Sequence, residues 1–362
     1  MIPCDKLASL LVSYCIEGQT AERVRVDANV VALPLVQEVY AKLLQAGSFP
    51  DIKLHFSNER DIFYEYAQEH QLREVSPVDV LEAETVRKLI SIRSEENTIA
   101  RSFPEKEAVR ATAAKLLSEK SKDWRWVLTL YPTNAYAQEA GMTLREFEAY
   151  YIKALFLNHD NPSEKWKDVA RKQEEYISLF SQKSHVEIRG QGIALSFNIE
   201  NRTFINSDGK QNMPSGEIYT SPIEDSVEGT YVSNVPNTKY GSEISGARLV
   251  FQKGRIVEAE AEKGQELLNT LIQRDDGARS VGEFGVGCNY VLDRYVRNIL
   301  FDEKIGGTVH IAIGQGYEKA GGKNKSNIHL DLIYDMRKGG EIVVDGTVIY
   351  KDGCFRMGAR GQ

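Results

Sequence analysis

The chain has 362 residues, of which 42% are hydrophobic and 27% charged, and its formal net charge at pH 7 is −7. This composition is typical of a globular protein with enough apolar residues to form real cores, and the length predicts two domains. The acidic balance argues against general nucleic-acid binding, which usually needs a concentrated basic face.

The cysteines and the N-terminal region predict a cytoplasmic protein without a membrane partner. Cys4, Cys15, Cys288 and Cys354 form no Cys-x-x-Cys pair and do not match a disulfide framework, so we interpret them as free thiols in a reducing compartment. The first fifteen residues lack the long apolar core and the cleavage site of a signal peptide. The apolar run over 30–36 is far shorter than the ~20 residues that span a bilayer.

Helix and strand patterns alternate through the first half of the chain. Helical spacing of apolar residues predicts a helix over 5–15, and Pro34 and Gly47 mark the start and the end of another. Thr143 and Glu146 form the capping-box pattern of a further helix start. The remaining predicted helices cover 60–72, 104–120 and 162–182, and the predicted strands cover 22–28, 51–57, 86–94 and 125–132. Strands separated by helix-length segments imply βαβ units and a largely parallel sheet.

Glycine becomes frequent and strand patterns dominate after residue 184. Hairpin turns such as Lys-Gly and Asp-Gly separate short alternating runs, with one helix predicted over 264–274 and a shorter one near 291–299. We therefore predict a mixed fold, α/β plus α+β. An N-terminal α/β domain with a largely parallel sheet would cover 1–183, and a C-terminal β-rich mixed domain would cover 184–362.

Two histidines in the second half lie in strands whose other face is apolar. Residues two apart in a strand point to the same face. His329 and Asp331 therefore share one face of their strand, with Leu330 and its apolar neighbours on the other. His310 alternates with apolar residues in the same way in the strand before it. The pattern places three polar side chains where they can be presented to a cation.

Glutamates recur near these strands. Glu217 follows a Pro-Ser-Gly turn, Glu283 has glycines nearby that let the backbone approach a ligand closely, and Glu303 precedes the strand of His310. Carboxylates with imidazoles and without thiolate suit Zn²⁺, Mn²⁺ or Co²⁺, and their combined negative charge favours two ions. The residue types alone leave a second interpretation open, because a lone strand histidine or a glutamate beside glycine is more often structural.

Five ordered blocks make a more specific pattern than any single motif. In chain order they are YPTNAYAQEAGMTLREFE, GEIYTSP, GEFGVGCN, ILFDEKIGGTVHIAIGQGY and NKSNIHLDLIYDMRKGGEIVVDGTVIYKDG. Together they resemble the thermophilic aminopeptidase family, the aminopeptidase T and aminopeptidase S type of metallopeptidase. The opening segment is similar to the N-terminal domain of that family, so the resemblance covers nearly the whole chain.

This resemblance implies a two-domain homodimer that removes N-terminal residues from peptide substrates with a free N-terminus. It also implies two divalent ions per chain, Zn, Co or Mn, in the C-terminal domain. The positions that it assigns as metal ligands are Glu217, Glu283, Glu303, His310, His329 and Asp331. Glu283, which would bridge both ions, and Tyr317, which would donate to the oxyanion of the tetrahedral intermediate, are the predicted catalytic residues.

One spacing departs from the family pattern. Glu303 and His310 are seven residues apart, a longer interval than in many relatives. Gly306 and Gly307 lie between them and could absorb the extra length as a bulge or as a wider turn.

Two other functions are compatible with the sequence. The chain could be a non-catalytic, dimeric peptide- or metal-binding relative on the same scaffold, although its intact ligand set counts against this. It could also hydrolyse another bond, such as a phosphoester, with Lys319, Lys323 and Lys325 attracting the anion. A solvated loop is the simpler explanation of these lysines.

Overall fold

The computed structural model describes residues 1–99, 101–239 and 242–357. The chain forms two compact units, one made of Met1–Ser163 with Gly209–Met213 and the other of Glu164–Asp208 with Pro214–Gln362. The domain bounds predicted from the sequence, 1–183 and 184–362, differ from these units and remain a proposal. Most of the helix predicted over 162–182, which was expected to close the first domain, belongs to the second unit.

A parallel sheet organises the first unit. Its strands are β1 (Arg23–Asn29), β2 (Phe49–His55), β3 (Lys88–Arg93) and β4 (Arg125–Leu130). They are arranged in the order β2-β1-β3-β4. Val26 of β1 pairs with Ile52 on one side and with Ile90 on the other, and the side chains of Val26 and Ile90 are fully buried. The predicted parallel sheet is thereby confirmed.

Helix α1 (Cys4–Ser9) precedes β1 in the chain. The connections between the strands contain α2 (Leu33–Gln45), α3 (Glu59–Tyr66), α4 (Glu69–Arg73), α5 (Pro77–Thr85) and α6 (Pro104–Ser121), as is usual for parallel strands. Helices α7 (Asn134–Glu139), α8 (Leu144–Ala154) and α9 (Pro162–Ser178) follow β4. The first predicted helix is α-helical only in α1 and continues as a π-helix over Leu10–Cys15. The capping box of α8 forms as predicted, because the Thr143 hydroxyl accepts from the Glu146 N–H and the Glu146 carboxylate accepts from the Thr143 N–H.

Antiparallel sheets build the second unit. Its elements are β5 (His185–Gly190), β6 (Ile193–Asn198), β7 (Ile205–Ser207), β8 (Glu217–Thr220), β9 (Glu228–Val232), β10 (Asn237–Lys239), β11 (Ser242–Ile244), β12 (Arg248–Gln252), β13 (Arg255–Glu260), α10 (Gln265–Ile272), β14 (Val281–Gly287), α11 (Ile299–Asp302), β15 (Thr308–Gly314), β16 (His329–Asp335), β17 (Glu341–Val344), β18 (Thr347–Lys351) and β19 (Cys354–Phe355). One sheet has the order β13-β12-β9-β6-β5-β17-β18-β19 and a second has the order β16-β15-β14-β8-β7. This β-rich unit beside a parallel α/β unit confirms the predicted fold class.

The core of the second unit contains residues from both of these sheets. Ile188 and Leu195 of the larger sheet are buried in the same cluster as Ile311 and Leu330 of the smaller one. Tyr176 of α9 joins this cluster, which explains why α9 is grouped with the second unit. The smaller sheet therefore has one face buried in the core, and its polar residues of interest lie on the opposite face.

Glycine-containing turns connect consecutive strands of the larger sheet. In the turns Lys253-Gly254, Asp345-Gly346 and Asp352-Gly353 both residues have positive φ angles, between 45° and 82°. This is the conformation of type I′ turns, whose twist matches that of the strands they connect. The hairpins predicted from Lys-Gly and Asp-Gly pairs are thus confirmed.

The helix predicted near 291–299 is wrong. Helix α11 begins only at Ile299, because Arg297 has a φ of 58° and Asn298 is the N-cap residue, whose side chain accepts from the Leu300 N–H at 3.1 Å. The Asp302 carboxylate accepts from the Val296 N–H at 2.8 Å and so holds the preceding segment as a loop. Among the described residues, none of the helices combines the length and the hydropathy needed to cross a bilayer.

Candidate metal centre

The six predicted ligands lie on or beside the smaller sheet. Glu217 begins β8, Glu283 lies in β14, His310 in β15, and His329 and Asp331 lie in β16. Their apolar neighbours in these strands point into the core, as two-residue alternation predicts. The sheet therefore presents donors from four strands on the face opposite the core.

Small residues separate the donors within this face. Ala312 of β15 pairs with Asp331 on one side and with Glu283 on the other. Gly285 of β14 pairs in the same way with His310 and with Tyr219. Because these middle positions carry a methyl group or only hydrogen, the larger side chains on either side can approach one another above the sheet.

The distances show that the sheet brings the predicted residues together. His310 Nε2 lies 3.6 Å from Glu217 Oε2 and 3.6 Å from Glu283 Oε1. His329 Nε2 lies 3.1 Å from Glu283 Oε2 and 3.2 Å from Asp331 Oδ1. Glu283 therefore places one carboxylate oxygen near each histidine.

Three overlapping groups have ligand atoms close enough to hold a cation. They are Glu217, Glu283 and His310; Glu283, His329 and Asp331; and Glu303, His310 and Asp331. Within each group the ligand atoms all lie within 4.8 Å of one another. The groups share members, so this is one continuous cluster and not three separate sites.

Glu303 reaches the cluster through a turn. It follows α11, and Ile305 then makes an isolated bridge with Asn289 before the chain turns at Gly306 and Gly307. Gly307 has a φ of 100°, which favours glycine. The pairing of β15 with β16 shows no register shift, so the longer interval before His310 is absorbed by this turn and not by a bulge in β15.

Two residues of the cluster were absent from the sequence-based prediction. Lys304 is fully buried, with its Nζ 3.3 Å from Glu217 Oε1 and ion-paired with Glu303 Oε1. Its only signal in the sequence is a lysine directly after the predicted ligand Glu303. Tyr219 lies two residues after Glu217 in β8, and alternation would have placed it on the same face.

Aromatic rings form the more exposed side of the cluster. The Tyr317 ring lies 5.5 Å from the His329 ring and 4.9 Å from the Tyr219 ring, measured between centroids. Tyr317 is 38% exposed and the His329 side chain 28%, whereas the side chains of Glu217, Glu283 and His310 are almost completely buried. A ligand would therefore reach the cluster past Tyr317 and His329.

Burial and mutual charge shift the acid–base properties of the cluster. Burial alone would lower the pKa of His310, but the carboxylates of Glu283 and Glu217 outweigh it and raise the pKa to about 9. Burial alone would raise the pKa of Glu283, but the imidazoles of His310 and His329 outweigh it and lower the pKa. Burial raises the pKa of Glu303 despite the opposing effect of the Lys304 ammonium. Without a bound cation, the Lys304 ammonium and protons held by the cluster compensate the charge of the carboxylates.

The donor set fits divalent cations. Glu217 Oε2 and both ring nitrogens of His310 are buried and have no hydrogen-bond partner among the described residues. A buried polar atom without a partner is costly, and a cation coordinated by Glu217 Oε2 and His310 Nε2 would satisfy those two atoms. Cys288, the cysteine nearest in sequence to Glu283, donates to the Val286 carbonyl at 3.3 Å and is buried in the core cluster. Imidazole and carboxylate ligands without thiolate suit Zn²⁺, Mn²⁺ or Co²⁺.

Gly285 leaves space for the His310 ring, and replacing it with alanine should disrupt the site. A Cβ atom at this position would overlap Cε1 and Nε2 of His310. Because His310 is buried in the sheet and cannot move freely, Gly285→Ala should weaken metal binding by roughly 10–100-fold, the range seen when the supports of metal ligands are lost. Titration of metal-free protein with Zn²⁺ against a chromophoric chelator would measure this.

Gly316→Ala is the matched control for that substitution. A Cβ atom at Gly316 would meet its nearest neighbour at 3.4 Å, an ordinary contact, and its φ is not positive. We expect this variant to bind Zn²⁺ as the unmodified protein does. Equal Zn²⁺ affinities of the two variants would show that His310 does not depend on the absence of a side chain at Gly285.

Comparison with known proteins assigns this chain to a family. The sequence model of the family described as "Thermophilic metalloprotease (M29)" matches residues 3–355. The chain belongs to this family. Its membership confirms the resemblance predicted from the five sequence blocks, and with it the prediction of a metallo-aminopeptidase that depends on divalent metal.

Individual relatives agree with the family assignment. Aminopeptidase 2 of Geobacillus stearothermophilus is 25% identical and covers 98% of this chain and 96% of its own length. Aminopeptidase T of Thermus thermophilus is 33% identical over 39% of this chain and 37% of its own length. The structure of wild-type AmpT from Thermus thermophilus superposes with a TM-score of 0.83 at 20% identity, covering 98% of this chain and 99% of that one. This last likeness supports the fold.

Proposed function

We propose that the protein removes N-terminal residues from peptides at a site where two divalent cations share a water molecule. A single observation carries this proposal. The two carboxylate oxygens of Glu283 face different histidines, Oε1 towards His310 and Oε2 towards His329. This is the arrangement expected of a carboxylate that bridges two cations.

The donors divide between two cation positions that share Glu283. Glu217 and His310 would hold one cation, with Glu303 beside them, and His329 and Asp331 would hold the other. When bound, such cations polarise the scissile carbonyl and lower the pKa of a shared water towards neutrality. The chain itself supplies the orientation of the donors and, on the buried side, the exclusion of bulk water.

The carboxylates of the cluster and the solvent-exposed ring of Tyr317 would determine how a peptide binds. A free α-amine is positively charged and would be attracted to the carboxylates of the cluster, whereas a blocked N-terminus would not. A carboxylate of the cluster would accept a proton from the attacking water and pass it to the leaving amine. Tyr317, beside His329 on the open side, would donate its hydroxyl proton in a hydrogen bond to the developing oxyanion.

The test compares substrates that differ only at the N-terminus. Leucine p-nitroanilide and N-acetyl-leucine p-nitroanilide would be assayed with added Zn²⁺, Co²⁺ or Mn²⁺. We expect hydrolysis of the first and none of the second. Equal rates on both would contradict exopeptidase activity, and the absence of hydrolysis with every metal would favour the alternative of a non-catalytic peptide- or metal-binding relative.

Removing the Tyr317 hydroxyl should slow the reaction without weakening substrate binding. Because an oxyanion exists only after attack on the carbonyl, Tyr317→Phe should lower kcat by about 10²-fold and leave KM nearly unchanged. Steady-state kinetics with leucine p-nitroanilide would measure both constants. Tyr66→Phe, at an exposed tyrosine of the first unit, is the control with unchanged kinetics. A rise in KM with an unchanged kcat would assign Tyr317 to ground-state binding instead.

Other properties of the proposed enzyme follow from the same residues. The donor types favour Zn²⁺, Co²⁺ or Mn²⁺, and the four cysteines are free thiols, which suits a cytoplasmic enzyme. Exposed apolar side chains on the first unit, among them Phe49, Leu54 and Phe56, support a homodimer, which sedimentation analysis would test. Lys319, Lys323 and Lys325 are exposed, so the structure offers no support for a phosphoester substrate.

A further inference from the structure

Lys304 is a fully buried lysine that contacts two of the predicted metal ligands. Its side chain is 0% exposed, and its Nζ lies 3.3 Å from Glu217 Oε1 and pairs with Glu303 Oε1. Lysine is almost never fully buried unless it is paired. An ammonium group has no lone pair to offer a metal, so its presence among the donors requires a different explanation.

The backbone around Lys304 fixes the position of its side chain. The Lys304 N–H donates to the Phe301 carbonyl at 3.0 Å, and its own carbonyl accepts from the Asn289 N–H at 2.9 Å. The Asn289 side chain also donates to the Ser215 carbonyl at 3.0 Å, two residues before Glu217. Asn289 thus ties the segment of Lys304 to the segment of Glu217, so the contact between them is part of the fold.

Lys304 engages one oxygen of each carboxylate. Glu217 Oε1 faces the ammonium, whereas Glu217 Oε2 faces His310 Nε2 at 3.6 Å and has no hydrogen-bond partner among the described residues. Glu303 pairs with Lys304 through Oε1 and also belongs to the candidate group with His310 and Asp331. A carboxylate can bind a cation through one oxygen or through both. With one oxygen taken by the ammonium, each carboxylate has one oxygen left for a metal.

We propose that Lys304 is a positioning residue that restricts Glu217 and Glu303 to one metal-binding oxygen each. This inference rests on the proposed metal-dependent function. A catalytic metal differs from a structural one because it keeps a coordination position open for water or substrate. If both carboxylates bound through both oxygens, those positions would be filled. The ammonium also repels cations, so Lys304 favours turnover at the expense of metal affinity.

Lys304→Met separates this role from a merely structural one. Methionine has a similar length, releases both oxygens and removes a positive charge within about 4 Å of the donors, so Zn²⁺ should bind roughly tenfold tighter or more. At saturating Zn²⁺, kcat should fall by roughly 10–100-fold, as when other supporting contacts of metal sites are lost. A residue that only supported the fold would weaken metal binding and activity together. Lys338→Met, at an exposed lysine of the same unit, is the control with neither change.

The measurements distinguish this proposal from the proposed function. Affinity is read on metal-free protein by competition with a chromophoric chelator, independently of turnover. Weaker or unchanged Zn²⁺ binding by Lys304→Met would overturn the role of Lys304. If the unmodified protein binds Zn²⁺ but hydrolyses no peptide, the proposed function fails while the affinity comparison still tests Lys304.

A structure of the Zn²⁺-loaded, unmodified protein provides a test that does not depend on the variant folding. We expect the Lys304 ammonium on one oxygen of Glu217 and of Glu303, with only the other oxygen of each on a metal. Coordination by both oxygens of either carboxylate, or displacement of Lys304 from the cluster, would overturn the proposal.

Discussion

Glu283→Gln should reduce peptide hydrolysis by at least about 10³-fold, because cation-assisted steps contribute several kcal/mol and each 1.36 kcal/mol is a factor of ten. The two oxygens of Glu283 face different histidines, so its loss would remove a donor from both of the proposed cation positions. Glutamine has the same shape as glutamate but no charge, and its amide nitrogen cannot coordinate a cation. The measurement is kcat/KM on leucine p-nitroanilide, together with the metal content per chain.

The control for this substitution is Glu258→Gln. Glu258 is an exposed glutamate of β13 in the same unit, so the change removes the same charge away from the cluster. We expect its activity and metal content to equal those of the unmodified protein. Activity of Glu283→Gln within tenfold of this control would exclude Glu283 as a shared ligand.

Removing the metal should abolish activity and lower the thermal stability of the protein. A ligand at 1,000 times its dissociation constant stabilises the folded state by about 4 kcal/mol. Since 1 kcal/mol corresponds to about 2–4 °C for domains of 150–250 residues, chelation should lower the Tm by on the order of 10 °C. The physical cause is the crowding of Glu217, Glu283, Glu303 and Asp331, whose charges then have only Lys304 and protons as compensation. Differential scanning calorimetry before and after chelation would measure the shift.

Restoring the metal completes this experiment. Zn²⁺, Co²⁺ or Mn²⁺ should recover both the Tm and the activity, whereas Ca²⁺, which prefers more oxygen ligands in a larger cage, should not. The Glu283→Gln protein should show a smaller change on chelation than the unmodified protein. An unchanged Tm and activity after complete removal of metal would contradict a metal-dependent site.

Much of the fold could be predicted because its signals are local. The capping box at Thr143, the type I′ hairpin turns and the strand–helix alternation of the first unit depend on residues close in sequence. The helix predicted near 291–299 failed because helical spacing of apolar residues does not show a backbone reversal. There Arg297 has a φ of 58°, and the Asp302 carboxylate, six residues after Val296, accepts from the Val296 N–H and holds the segment as a loop.

Alternation predicted the site only in part. It placed His329 and Asp331 together correctly in β16, where each residue pairs regularly with β15. In β14 the register shifts between Val281 and Glu283, so that Val281 faces the core although it lies two residues from Glu283, which faces the cluster. An extra residue in one strand reverses which side chains after it point to each face of the sheet. No pattern in this sequence predicts that reversal.

The sequence by itself determined the family, the carboxylate and imidazole side chains of the cluster and the strands that carry them. Ordered motifs and two-residue periodicity depend only on residues that are close together in the chain. Only the tertiary structure showed that the interval between Glu303 and His310 is absorbed by a turn, and that Gly285 makes room for the imidazole of His310. It alone placed the ammonium of Lys304 against Glu217, 87 residues earlier in the chain. Such contacts form only when the fold brings together residues that are distant in the chain. Sequence analysis does not predict them because electrostatic interactions depend on the distance between charges in space and not on their separation in sequence.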